Sequence, residues 1–325
     1  MEFQIKVLLI SFFLTVILSL IIIPILKRLK VGQMERDDGP QSHLKKQGTP
    51  TMGGIIMIVC ILIASAGCFI YYARQEMDVA KNIIPLVLVA IGFGLIGFID
   101  DFKKLVLKNP KGLKPSYKMI GLLVISVAYT LYLVQGVHLG TETFIPFFKT
   151  YITLPIWIYI PFAIFVMLAT TNAVNLTDGV DGLSSTVSAI IITCLTVIAI
   201  MFDIKELVLI GSILCGTCLG FLLFNLHPAK VFMGDTGSLL LGGIISAMAL
   251  YLKMPLLLII IALVPVMETL SVMIQVAYYK KTGKRVFKMA PLHHHFELSG
   301  WKENKVVAIF SMVTLVLCLI GLAAI

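Results

Sequence analysis

The 325-residue chain is 59% hydrophobic and only 13% charged, and it carries a formal net charge of +9. Soluble domains hold about 25% charged residues, so this composition excludes an ordinary water-soluble enzyme or binding module. Apolar runs long enough to cross about 30 Å of hydrocarbon recur along the whole length, which predicts one all-α, polytopic integral membrane unit over residues 1–325.

Ten spans are predicted, with both chain ends on the same side. The first covers 6–26 and, lacking a small-residue cleavage site, reads as a retained helix. The loop after it holds "HLKKQGTPTMGG", which sets Lys45, Lys46 and Thr51 beside flexible glycines and leads into a span over 52–72. The third span, 82–99, ends in "GFIDDFKK", where Asp100 and Asp101 could bind a divalent cation or accept a proton. A fourth span covers 119–136 and a fifth 152–171. The fifth runs into "TTNAVNLTDGVDGLSS", where Asn172, Asn175, Asp178 and Asp181 recur every third residue, so a helical turn would gather them on one face. Gly179 and Gly182 interrupt that turn and permit close approach of backbone to a ligand.

Spans over 185–202 and 207–224 follow, and then "FNLHPAKVFMGDTGS". Asn225 and Asp235 flank this loop, and Phe232 could stack on a flat ring. The eighth and ninth spans, 237–252 and 254–279, are parted only near Lys253. The ninth contains Pro265, which should kink it, and places Glu268, Ser271 and Gln275 on one face. A Glu268 facing lipid would be costly, so it should turn inward to a polar partner. The loop "FKMAPLHHHFELSGW" then precedes a last span over 305–324. Three consecutive histidines cannot all face one ion; a pair facing phosphate is at least as plausible. All six cysteines fall inside apolar runs and read as small apolar residues rather than a disulfide framework.

Alternate loops hold 20 of the 26 lysines and arginines, including Lys103, Lys104, Lys118, Lys280, Lys281, Lys288 and Lys302. By the positive-inside rule those loops are cytoplasmic and both termini lie outside. The same loops carry every polar cluster. Carboxylates, amides, lysines and histidines at one membrane face, with little aromatic interleaving, suit a diphosphate and Mg²⁺, since hard cations take oxygen ligands and substrate phosphates. That inventory suggests a soluble phosphorylated donor and a lipid acceptor, with no nucleic acid as partner. A transporter would more often gather its polar groups at the midplane on repeated, broken helices.

"GTPTMGG", "GFIDDFKK", "NAVNLTDGVDGL", "FNLHPAKVFMGDTGS" and "PLHHHFE" together resemble the motifs of the phospho-N-acetylmuramoyl-pentapeptide transferase family, in order and over essentially the whole chain. The aspartate motifs are shared with the wider superfamily of polyprenyl-phosphate N-acetylhexosamine-1-phosphate transferases; "PLHHHFE" is the more discriminating. The resemblance implies a Mg²⁺-dependent transfer of phospho-N-acetylmuramoyl-pentapeptide from UDP to undecaprenyl phosphate, with UMP released. It implies a multi-pass protein of the bacterial inner membrane, a cytoplasmic site and a homodimer. An N-acetylglucosamine-1-phosphate transferase is the rival reading. Carried over, Asp100, Asp101, Asp235 and His294 look catalytic, and Asp235 and Asn175 look like metal ligands. Asn172 and Asp178 would line the diphosphate region. Lys46, Thr51, Gly179, Val180, Asp181 and Phe232 would form the uracil pocket. Lys118, Asn225, Gln275 and His295 would complete the polar wall.

Overall fold

In hydrocarbon no water is present to satisfy backbone N–H and C=O groups, so continuous apolar runs must close their hydrogen bonds as helices. The computed structural model, which describes residues 2–29, 46, 48–107, 109 and 112–325, is such a helical bundle. Lys30, Arg36, Lys45, Lys108 and Lys111, counted above among the basic loops, lie outside the described residues.

Each of the ten predicted runs contains a helix. The long ones are α1 (Glu2–Arg28), α2 (Gly54–Tyr72), α3 (Met77–Leu105), α4 (Pro115–Leu131, continued by a π-turn to Gly136) and α5 (Ile156–Thr177). They are followed by α6 (Leu183–Met201), α7 (Lys205–Asn225) and α8 (Gly234–Tyr251). After a 3₁₀ turn at Pro255–Leu257 come α9 (Leu258–Ile261), α10 (Leu263–Thr282), the short α11 (Leu292–Glu297) and α12 (Glu303–Ala323). Among the described residues eight helices are long and apolar enough to span a membrane, and a ninth span results if the pair around Ala262 counts as one. The remaining run is α8, buried from Thr236 to Tyr251 at the centre of the bundle. It packs against α3 and α5, while α7 packs against α1 and α6.

Backbones touch where α3 crosses the start of α8. A methyl group on Gly97 would lie 2.1 Å from the Asp235 carbonyl oxygen, so only glycine permits this approach.

Three boundaries differ from the sequence expectation. Helix α3 runs on to Leu105, so Asp100 and Asp101 sit inside a helix and not at its end. An antiparallel hairpin, β1 (Glu142–Ile145) with β2 (Thr150–Thr153), occupies the fourth connection and takes the first residues assigned to the fifth span. The ninth run breaks at Ala262 with an 81° bend, three residues before Pro265. Proline has no N–H to give the carbonyl four positions back, which is Ile261, the last residue of α9. Pro265 therefore sits in the first turn of α10, where that missing donor costs nothing.

Both termini lie at one end of the bundle. Phe3 stacks on Tyr71 at the far end of α2, with ring centroids 4.1 Å apart, and the Phe147 N–H of the hairpin donates to Ala324. The motif residues converge at the opposite end.

Candidate active site

Adjacent residues on a helix point about 100° apart, so Asp100 and Asp101 face different neighbours. The Asp101 carboxylate accepts the Thr236 N–H at 2.9 Å, the Thr236 hydroxyl at 2.6 Å and the Asp235 N–H at 3.3 Å. It thus caps the N-terminus of α8, where free N–H groups and the helix dipole favour a negative charge. Asp100 looks the other way. It accepts the Leu113 N–H at 2.6 Å, and its Oδ2 lies 2.7 Å from Lys104 Nζ and 3.7 Å from Lys118 Nζ.

Asp235, in the first turn of α8, meets the same two ammonium groups: its Oδ2 is 3.2 Å from Lys104 and 2.9 Å from Lys118. Its Oδ1 accepts from the Asn175 amide at 2.9 Å, and that amide also donates to Ser238. Two carboxylates from different helices therefore share two cations. Asn172, one turn earlier on α5, donates instead to the Leu168 carbonyl of its own helix.

Asp178 closes the C-terminus of α5, its own N–H donating to the Asn175 carbonyl. Burial, with Asp235, Asp101 and Asp181 nearby, pushes its carboxyl up to about 8. The folded state then binds a proton that the unfolded chain releases near pH 4, so stability from this group is full in acid and lost as pH rises toward 8. In chelator-treated detergent solution the melting temperature should fall across that window, and fall less in Asp178→Asn; equal slopes in the two proteins would reject this assignment.

A second half of the site forms around Asp181. The segment Pro50–Gly54 pairs with Phe232 and Met233: Phe232 N–H donates to Pro50, and the Gly53 and Gly54 N–H groups donate to Phe232 and Met233. That pairing joins "GTPTMGG" to "VFMGD". Lys46 then binds Asp181 at 2.7 Å and also Glu303 of α12, with its Nζ 6.0 Å from the centre of the Phe232 ring. Burial alone would lower the Lys46 ammonium, but the two carboxylates outweigh it and hold it above its usual value. His227 Nδ1 lies 3.1 Å from both Asp181 and Glu303, and the Asp181 N–H donates to Glu303 at 2.7 Å. Val180 is buried next to Asp181 in the chain, whereas buried Thr51, expected in the uracil pocket, turns its hydroxyl toward Gly234 on the Asp101 side. Buried Asn225 fastens the loop, donating to Val231 and accepting from the Ser185 hydroxyl.

The two halves meet at Asp178–Asp181, and of the three histidines His293 reaches them there. His293, wholly buried, pairs through Nδ1 with Glu268 at 3.1 Å and lies against Gly179. This is the inward partner expected for Glu268. His294 pairs with Glu297 at 2.9 Å within α11, and His295 accepts the Lys288 N–H. Gln275 holds the preceding loop by three bonds to Val286 and Phe287.

Sequence reasoning missed Lys104, His227 and Glu303 as site residues and passed over His293 in favour of its neighbours. Lys104 had a signal, four residues after Asp100 on the same helix. Glu303 had none.

The chain matches the family described as Glycosyl transferase family 4 over residues 83–253, and a phospho-N-acetylmuramoyl-pentapeptide-transferase signature over residues 46–58. The signature covers the residues that include Lys46 and Thr51. A phospho-N-acetylmuramoyl-pentapeptide-transferase of Acetivibrio thermocellus is 48% identical over 320 residues, 98% of this chain and 94% of its own length. Proteins of the same name from Caldicellulosiruptor bescii (48% identical; 97% of this chain, 95% of theirs) and Clostridium kluyveri (49%; 96% of each) are as similar. Likeness at this level over nearly the full length, on a helical bundle whose shared motifs fold into one site, makes the chain a member of the phospho-N-acetylmuramoyl-pentapeptide-transferase family.

Proposed function

We propose that the chain transfers phospho-N-acetylmuramoyl-pentapeptide from UDP-N-acetylmuramoyl-pentapeptide to undecaprenyl phosphate and releases UMP. The observation that carries this reading is the convergence of Asp100 and Asp235 on the same two lysines, beside a separate polar cluster at Asp181. One half suits a diphosphate, and the other suits the base of a nucleotide.

A lipid phosphate oxygen attacks the sugar-bearing phosphorus of the donor; the bond to the bridging oxygen breaks, and UMP leaves with that electron pair. Both reactants are anionic, so the barrier is largely charge repulsion. Asp100 takes the proton from the lipid phosphate and orients its oxygen. Lys104 and Lys118 face the gap and screen the phosphates. Asp101 keeps α8 in place so that Asp235 points at that gap. Asp181, Lys46 and Phe232 hold the uracil. Attack is direct, without a phosphorylated enzyme.

The donor set fits Mg²⁺. Oxygens of Asp100 and Asp235 turn toward the same two ammonium groups, which supports a shared cation-binding gap between them. Bound Mg²⁺ would neutralise the diphosphate charge and be held by Asp235. Asn175 currently turns its nitrogen to Asp235, so as a ligand it would present its oxygen instead.

The same reading sets the protein as a homodimer in the bacterial inner membrane, with the site on the cytoplasmic face. Support for the sidedness comes from Lys103 and Lys104, Lys280 and Lys281, and Lys302 and Lys305, all on the site end of their helices. The deciding experiment measures UMP release from purified protein with undecaprenyl phosphate, with and without Mg²⁺. UDP-N-acetylglucosamine runs in parallel as donor. Release from that sugar nucleotide alone would overturn the proposal.

Glu303 supplies a further check on the base pocket. Glu303→Gln should raise the donor KM by about tenfold and leave kcat within about threefold, since it loosens binding groups and not reacting ones. An unchanged KM would detach α12 from the pocket.

A further inference from the structure

Glu268 and His293 form a carboxylate–imidazole pair in which both side chains are wholly buried. The pair is incompletely satisfied: among the described residues Glu268 Oε1 and His293 Nε2 have no hydrogen-bond partner. Burying charged or polar atoms unpaired is costly, and an apolar pair of similar volume would pack at less cost. A fold that keeps such a pair needs it for something besides cohesion.

Its placement says what. Glu268 stands on α10, two turns past the 81° bend, and His293 on α11. The hydrogen bond between them fixes the imidazole through Nδ1 and turns Nε2 toward Gly179. A methyl group on Gly179 would lie 2.2 Å from that nitrogen, so the ring edge rests directly on the glycine. Gly179 in turn lies between the end of α5, whose Asn175 donates to Asp235, and Asp181, which holds Lys46. The buried ring therefore bears on a short turn that joins the diphosphate half of the site to the base half.

We propose that Glu268 is a positioning residue: by pinning His293 against Gly179 it sets the spacing between the two half-sites, and with it the fit of a ligand that spans both. This rests on the reading of the site given above. It makes a distinction that mere structural support does not. UMP occupies the base half, whereas UDP-N-acetylmuramoyl-pentapeptide must bridge the turn. A change of spacing should weaken the second and spare the first.

The test compares Glu268→Leu, which removes the acceptor at similar volume, with Glu268→Gln, which keeps an oxygen for the Nδ1 proton. Glu268→Leu should lower kcat/KM for the donor by about tenfold or more while the inhibition constant of UMP stays within about twofold. Glu268→Gln should recover most of the loss. If Glu268→Leu does not fold, His293→Asn keeps an N–H donor for Glu268 but withdraws the ring from Gly179, and should give the same split. Parallel loss of UMP and donor, no loss at all, or a Gln variant as impaired as Leu would each overturn the proposal. Wild-type protein that binds UMP yet does not use the donor would overturn the underlying reading, and this one with it.

Discussion

Asp235→Asn should reduce UMP release by about three orders of magnitude, because it removes the anion that holds in place the cations offsetting the phosphate charge. The substitution keeps shape and leaves the backbone capping of α8 intact, since that uses the Asp235 N–H and not its side chain. What it removes is the anion that draws in Lys104, Lys118 and, by the reading above, Mg²⁺. The remaining activity should respond weakly to added Mg²⁺. The measurement is a titration of UMP release against Mg²⁺ concentration. A variant that keeps more than about a tenth of wild-type turnover would strip Asp235 of its role.

Asp100→Asn should be as damaging to turnover but far gentler on the donor. Its carboxylate lies on the lysine side of the gap, away from the Asp178–Asp181 turn, and Asn can still accept the Leu113 N–H. Donor affinity by calorimetry should therefore stay within about threefold of wild type while the rate falls about a thousandfold. Should the donor instead fail to bind, Asp100 belongs to donor recognition, and some other group prepares the lipid phosphate.

The helical class, the ten runs and the meeting of five distant motifs were legible because hydropathy and polar clustering leave few alternatives in a membrane. Local geometry was less so. Residues three apart on an α-helix fall about 60° short of a full turn. Asn175 can thus reach Asp235 while Asn172 turns back on its own helix. Hydropathy ended the third span at 99, but backbone bonding carries α3 past both aspartates to Leu105. Glu303 and His227 join Asp181 across 122 and 46 positions, contacts that no periodicity encodes. Among three consecutive histidines, only the packing of α11 on α10 selects His293 for the buried face.

Where Gly97 brings α3 against the opening turn of α8, the wall beside Asp235 is made of peptide and not of side chains. The seat of the aspartate is therefore set by main chain on both sides, and adding even one methyl at Gly97 would displace Asp235 itself. A change far from any polar group would then silence the site as surely as loss of the carboxylate.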